Sequence, residues 1–97
     1  MSRLTEPDIA AALARLPEWR RDGIAISRTF AFKGFMRPML LANAIAHLAE
    51  QANHHPELII NWGSLEVRLW THVADGLTEH DFALARRIDE IAGAGRS

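Results

Sequence analysis

The sequence contains no cysteine. This absence excludes disulfide bonds, thiolate nucleophiles and thiolate metal ligands, and it is typical of proteins from a reducing compartment. Long apolar runs are also missing, because none approaches the ~18 residues of a membrane-spanning helix. The charged stretch MSRLTEPDIAAALARL at the N-terminus differs from the apolar core of a signal peptide. The sequence therefore predicts a cytoplasmic protein with no membrane partner.

An excess of charge of either sign is missing as well. The 97 residues include 11 basic and 12 acidic residues, which gives a net charge of −1 at pH 7. No basic surface is therefore predicted for direct contact with nucleic acid. The hydrophobic fraction of 48% is typical of a globular protein, and the length predicts a single domain over residues 1–97.

Capping and turn signals divide the chain into three helices and two hairpins. Thr5 and Thr78 each precede an aspartate by three residues, the spacing of a capping box, so each is predicted to begin a helix. The alanine-rich and leucine-rich stretch from Phe35 to about Asn53 predicts a third, long helix. The Asp-Gly pair at 22–23 and the Gly-Ser pair at 63–64 are predicted to form two-residue hairpin turns.

Apolar and polar residues alternate along the predicted strands, as in a sheet with one buried face. The two turns predict that four pairs share this face: Trp19 with Ile26, Trp62 with Leu65, Ile60 with Val67, and Leu58 with Leu69. Arg28 interrupts the apolar pattern. We therefore predict an α+β fold in the order α-β-β-α-β-β-α, in which a four-stranded antiparallel sheet carries three helices on one face.

The main candidates for chemistry are five histidines: His47, His54, His55, His72 and His80. Imidazole is the side chain best suited to exchanging protons near neutral pH. His54 and His55 follow the predicted long helix, and His72 follows the last predicted strand. Simpler explanations remain open from the residues alone. The adjacent pair could satisfy the last carbonyl groups of the helix, and Asp81 could serve only as a capping carboxylate. His47 and His80 are assigned to the surface or to packing.

A metal site is the main alternative use of these histidines. Adjacent residues such as His54 and His55 are poorly spaced for placing both rings on one ion, and the HExxH motif is absent from the sequence. A glycine-rich phosphate-binding loop is absent as well. The residues alone therefore disfavour a metal site, and they indicate no more than a histidine-bearing α+β domain that could carry an acid/base site.

A longer pattern appears when the candidate residues are taken in order. Glu50 is followed by His54-His55-Pro56 after three residues, by Trp62 after five more, by His72 after nine and by Asp81 after eight. This pattern resembles the signature of the pterin-4a-carbinolamine dehydratases, also called 4a-hydroxytetrahydrobiopterin dehydratases. The stretches FAFKGF at 30–35 and THVADGLTEHDFALARRID at 71–89 extend the resemblance, which runs from about Leu16 to Ile91.

The resemblance implies a hydro-lyase that removes water from a 4a-hydroxytetrahydropterin and uses no metal or organic cofactor. Its product, a quinonoid dihydropterin, belongs to the recycling of tetrahydrobiopterin for an aromatic amino acid hydroxylase. By matching positions, the resemblance implies acid/base roles for His54 and His72, and pterin binding by His55. It implies that Asp81 fixes the tautomer of a histidine. Four further residues are implied to bind or assist the substrate: Glu50, Pro56, Trp62 and Thr71.

The resemblance also implies alternatives and departures. Family members assemble as dimers or tetramers, and animal relatives are dimerisation partners of a homeodomain transcription factor, so a non-catalytic protein-binding module is the second hypothesis. A third places the same pterin chemistry in molybdopterin metabolism. Two positions depart from the family pattern. Leu58 stands where many relatives carry tryptophan, and Trp70 stands where a small hydroxyl residue is frequent.

Overall fold

The computed structural model describes residues 2–94, so Met1 and residues 95–97 of the predicted domain lie outside it. The helices are α1 (Glu6–Ala14), α2 (Met36–Ala52) and α3 (Glu79–Ala94), with a short 3₁₀ helix at His72–Ala74. The strands are β1 (Arg20–Asp22), β2 (Ala25–Ala31), β3 (Glu57–Asn61) and β4 (Ser64–Leu69). This order confirms the predicted α+β arrangement. Between residues 2 and 94, no helix combines the length and apolarity needed to cross a membrane.

The strands form one antiparallel sheet in the order β1-β2-β4-β3, with β4 between β2 and β3. One face of the central strand is fully buried, and all three helices contribute to the hydrophobic core on that face. The core includes Leu65, Val67 and Leu69 from β4, Ile9 from α1, Ile45 from α2 and Ile88 from α3. The predicted packing of the helices on one face is therefore confirmed.

Both hairpin turns lie one residue away from their predicted positions. The loops span residues 23–24 and 62–63 instead of 22–23 and 63–64. The predicted partners are therefore wrong, and the observed pairs are Ile26 with Arg21, Leu65 with Ile60, and Val67 with Leu58. Since each partner changes by two positions, Leu58 and Ile60 keep the predicted face of the sheet.

Long-range hydrogen bonds hold the second turn in place. Gly63 has a φ of +85°, a conformation that favours glycine. Its N–H donates to the Gly34 carbonyl and its own carbonyl accepts from the Phe32 N–H, each at 2.8 Å. These bonds to the segment after β2 place Gly63 inside the turn and leave Trp62 exposed at its tip.

Arg28 lies where the apolar pattern of β2 is interrupted, and α3 provides its partner. The Arg28 Nη1 atom is 2.6 Å from Asp89 Oδ1, and the guanidinium also lies over the Phe30 ring at 4.2 Å from its centroid. The same carboxylate oxygen accepts from Trp19 Nε1 at 2.8 Å. Arg28 is therefore compensated by a charge and joins the sheet to α3 at the edge of the core.

The face of the sheet away from the helices carries charged residues. Arg68 on β4 lies 2.8 Å from Glu57 on β3 and 3.2 Å from Asp22 on β1. The hydrogen bond to Glu57, opposed in part by burial, raises the pKa of Arg68. The charged row across this face explains why the helices cover only the other one.

Candidate active site

Four segments of the chain meet at one end of the sheet. Because β3 and β4 are antiparallel, the beginning of β3 lies beside the end of β4, where Glu57 pairs with Arg68. The chain enters this end from α2 through His54 and His55, and it leaves through His72 toward α3. The topology therefore brings together parts of the chain that are well separated in the sequence.

The end of α2 is capped by backbone amides. Asn53 adopts the left-handed conformation, with φ 50° and ψ 43°, and its N–H donates to the carbonyls of Ala49 and Glu50. The His54 N–H also donates to the Ala49 carbonyl, at 3.1 Å. The imidazole rings of His54 and His55 bond to carboxylates instead, so capping by the side chains is wrong, although the backbone of His54 does cap the helix. The turn at Asn53 instead directs the chain toward α3.

His54 reaches a buried carboxylate at the beginning of α3. Its Nε2 atom is 2.6 Å from Asp81 Oδ1, with 12% of the His54 side chain and none of the Asp81 side chain exposed. His54 follows the C-terminus of α2, where the helix dipole favours a cation, and Asp81 lies in the first turn of α3, where the dipole favours an anion. The bond therefore joins the end of α2 to the beginning of α3.

The second oxygen of Asp81 is held by the segment before α3. Oδ2 accepts from the Thr71 hydroxyl and from the Thr78 N–H, each at 2.9 Å. The Thr78 hydroxyl in turn accepts from the His80 N–H at 3.3 Å, as expected of a helix cap. Asp81 is thus both a capping carboxylate and the partner of a histidine, and the two interpretations of the sequence do not exclude each other.

His55 has a separate carboxylate partner. Its Nε2 atom is 2.5 Å from Glu50 Oε2, with 56% of the His55 side chain and 76% of the Glu50 side chain exposed. The adjacent histidines therefore point in different directions, one toward the buried Asp81 and one toward solvent.

His72 opens the 3₁₀ helix and is exposed. Its ring packs against Trp70, with 4.6 Å between the ring centroids. The loop that follows is closed by two backbone bonds between Thr71 and Gly76, of 2.9 and 3.4 Å. This closure holds His72 at the end of the sheet where His54 and His55 lie.

The structure does not bring every predicted site residue to this place. Pro56 is half-buried and directly precedes β3, beside the histidine pair. Trp62 lies at the opposite end of β3, which is ~17 Å long at the usual rise of a strand. Trp62 was implied only by the family pattern, and its distance along β3 separates it from the histidines. Leu58, one of the two departures, packs against the core.

Two residues near His54 were not predicted as part of the site. The His80 ring lies edge-on to the His54 ring, with 6.1 Å between centroids, although it was assigned to the surface or to packing. Thr78 was predicted only as a helix cap, yet its hydroxyl is 2.8 Å from the Thr71 hydroxyl. The capping-box spacing of Thr78 and Asp81 was the one signal that linked these residues. Across residues 2–94, no three histidine or acidic side chains are grouped so as to hold a metal ion.

Comparisons with known proteins all point to the same family. The family model described as pterin 4 alpha carbinolamine dehydratase matches residues 2–91. A protein of Thermomicrobium roseum is 45% identical over 92 residues, which cover 95% of this chain and 99% of that protein. A protein of Natronomonas pharaonis is 48% identical over 90 residues, which cover 93% of this chain and 96% of that protein. Both carry provisional names as pterin-4-alpha-carbinolamine dehydratases.

Two solved structures share the fold. A transcriptional coactivator/pterin dehydratase from Brucella melitensis is 36% identical, with a TM-score of 0.88, and the match covers 94% of this chain and 99% of that one. A pterin dehydratase-like protein, described as a RuBisCO assembly factor in the alpha-carboxysome, is 25% identical with a TM-score of 0.66. Its match covers 78% of this chain and 90% of the other.

The two histidine–carboxylate contacts differ in burial, and this difference predicts their contributions to stability. Asp81→Ala leaves the buried Thr71 hydroxyl and Thr78 N–H without their acceptor, so we expect the free energy of unfolding to fall by about 2–3 kcal/mol. Glu50→Ala removes an exposed pair and should change it by less than about 0.5 kcal/mol. Urea denaturation of both variants at one protein concentration measures the difference, and equal losses would contradict the structural role of Asp81.

Proposed function

Because the chain belongs to the pterin 4 alpha carbinolamine dehydratase family, we propose that it eliminates water from a 4a-hydroxytetrahydropterin to give a quinonoid dihydropterin. The observation that carries this proposal is the contact between His54 and the buried Asp81, at the end of the sheet where His55 and His72 also lie. This end of the sheet therefore carries three candidate proton-transfer groups. The proposed reaction requires no metal and no organic cofactor.

The reaction needs one proton delivered and one removed. A proton is added to the hydroxyl oxygen on C4a, the C4a–O bond breaks, and water leaves. Loss of the proton from N5 supplies the electron pair of the new C4a=N5 double bond, so no oxidant or reductant is consumed. Imidazole can give and take protons near neutral pH, and we assign these two steps to His54 and His72.

The remaining residues support these two histidines. Asp81 holds the His54 ring through the 2.6 Å bond, and His55, paired with the exposed Glu50, binds and orients the pterin. The Thr71 hydroxyl is bonded to Asp81 and its backbone N–H to the Gly76 carbonyl, so Thr71 supports the site by holding Asp81 and by closing the loop that carries His72. We place the reaction in the recycling of tetrahydrobiopterin for an aromatic amino acid hydroxylase.

The proposed roles predict the effect of removing each histidine. His54→Ala, His55→Ala and His72→Ala should each lower the dehydration rate at least about tenfold, because single acid/base groups typically contribute ~10²–10⁴-fold. His47→Ala is the control, since His47 is an exposed histidine of α2 to which the proposal gives no role, and its rate should match the wild type. Stopped-flow absorbance of the 4a-hydroxypterin measures the rates. Wild-type rates in all three site variants would refute the proposal.

We also propose that the chain assembles as a homodimer or homotetramer. Large apolar side chains are exposed at the beginning of α2: Phe35, Met36, Met39 and Leu40. Leu40 also lines a cavity of about 170 Å³ between α2, β2 and the end of α3. Contiguous apolar surface of this kind is typical of contacts between proteins.

The assembly can be tested by sedimentation velocity at micromolar concentration. The wild type should sediment as a multiple of its 10.9 kDa chain, and Leu40→Glu should shift it toward the monomer, because a charge would be buried in the contact. Leu40→Met is the matched control and should leave the assembly unchanged. A wild-type monomer at this concentration would contradict the proposal.

The second candidate function is a non-catalytic protein-binding module on the same fold. The same exposed apolar side chains of α2 favour it. One of the two solved relatives is described as both a transcriptional coactivator and a pterin dehydratase, and the other as a RuBisCO assembly factor. Catalysis and protein binding make opposite predictions for the wild type. A dehydration rate equal to that in buffer, together with one stoichiometric protein partner, would favour the binding module.

A further inference from the structure

The hydroxyl groups of Thr71 and Thr78 form a chain of hydrogen bonds that ends on Asp81. Thr78 Oγ1 is 2.8 Å from Thr71 Oγ1, which is 2.9 Å from Asp81 Oδ2. Thr71 is only 5% exposed and Thr78 only 1%. Their hydroxyls are therefore closed to a substrate, and their role must lie within the protein.

These hydrogen bonds all run in one direction, from the Thr78 hydroxyl through the Thr71 hydroxyl to Asp81. Each hydroxyl has one proton to donate, and the Thr71 proton is committed to Asp81 Oδ2, because a carboxylate can only accept. Thr78 must then donate to Thr71 Oγ1, while its own oxygen accepts from the His80 N–H. Asp81 Oδ2 also accepts the Thr78 N–H, so it receives two donors and has no place for a proton of its own.

This direction decides which nitrogen of His54 is free. As long as Asp81 is ionised, its Oδ1 can bond His54 Nε2 at 2.6 Å only by accepting, so Nε2 carries the proton. We propose that Thr71 and Thr78 are positioning residues that keep the proton of neutral His54 on Nε2, which makes Nδ1 the atom that exchanges protons with the substrate. The role of Nδ1 rests on the proposed dehydratase function, whereas the tautomer itself does not.

Removal of the Thr71 hydroxyl allows the other tautomer of His54, in which the proton lies on Nδ1. Without it, a proton can occupy the carboxyl group of Asp81, or the carboxyl group can rotate away from Thr78. The first change lets Asp81 donate to Nε2, and the second takes the acceptor away from Nε2, so in either case the proton of neutral His54 can move to Nδ1. The Thr78 hydroxyl is one hydrogen bond further from Asp81, so its loss should shift the tautomer of His54 in the same direction but to a smaller extent.

The tautomer of His54 can be measured directly by ¹⁵N NMR of the histidine rings in the free protein, at a pH where His54 is neutral. His54→Gln identifies its signals. The wild type should show the Nε2–H form, Thr71→Val should show at least about a third of the Nδ1–H form, and Thr71→Ser should restore the wild-type spectrum. The ring of His55, which bonds Glu50 and neither threonine, is the internal control and should not change.

A kinetic measurement on the same variants separates positioning from general loss of structure. Thr71→Val should lower kcat about tenfold with KM within about twofold, and Thr71→Ser should restore kcat. A wild-type His54 protonated on Nδ1, or a Thr71→Val spectrum identical to the wild type, would overturn the positioning role. A wild type without dehydratase activity would overturn the role of Nδ1 together with the proposed function, while the spectra decide the tautomer separately.

Discussion

The hydrogen bond between His54 Nε2 and Asp81 Oδ1 is the contact on which the arrangement of the site depends. At 2.6 Å it joins the end of α2 to the beginning of α3, beside the ends of β3 and β4. Asp81 is fully buried, and a buried charge is costly unless it is surrounded by donors. The Thr71 hydroxyl and the Thr78 N–H supply them. The residue that begins α3 therefore also orients His54, and the stability of the fold and the geometry of the site are coupled.

Most of the fold follows from short-range patterns in the sequence. Capping boxes predicted the beginnings of α1 and α3, and alternation predicted which strand residues face the core. The second turn was misplaced by one residue because Gly63 is held by bonds to Gly34 and Phe32, about thirty positions away. The charge of Arg28 within an apolar strand is likewise explained only by Asp89, 61 residues further along the chain.

Short-range sequence patterns predicted less of the site than of the fold. Spacing alone left His54 and His55 as possible helix caps, because the carboxylate partner of His54 is set by where α2 and α3 meet. The ordered family pattern supplied the residues, but it also included Trp62, which the hairpin carries to the far end of the sheet. It gave no role to Thr78, whose hydroxyl meets Thr71 only after β4 and α3 have packed together.

A double-mutant cycle on the dehydration reaction tests most directly whether Asp81 acts through His54. In Asp81→Asn the amide oxygen must face Thr71 and Thr78, so the NH₂ group faces His54 Nε2 and forces the ring proton onto Nδ1. We predict that Asp81→Asn lowers kcat about as much as His54→Gln, and that the double variant is no slower than His54→Gln alone. Losses that multiply in the double variant would contradict this account.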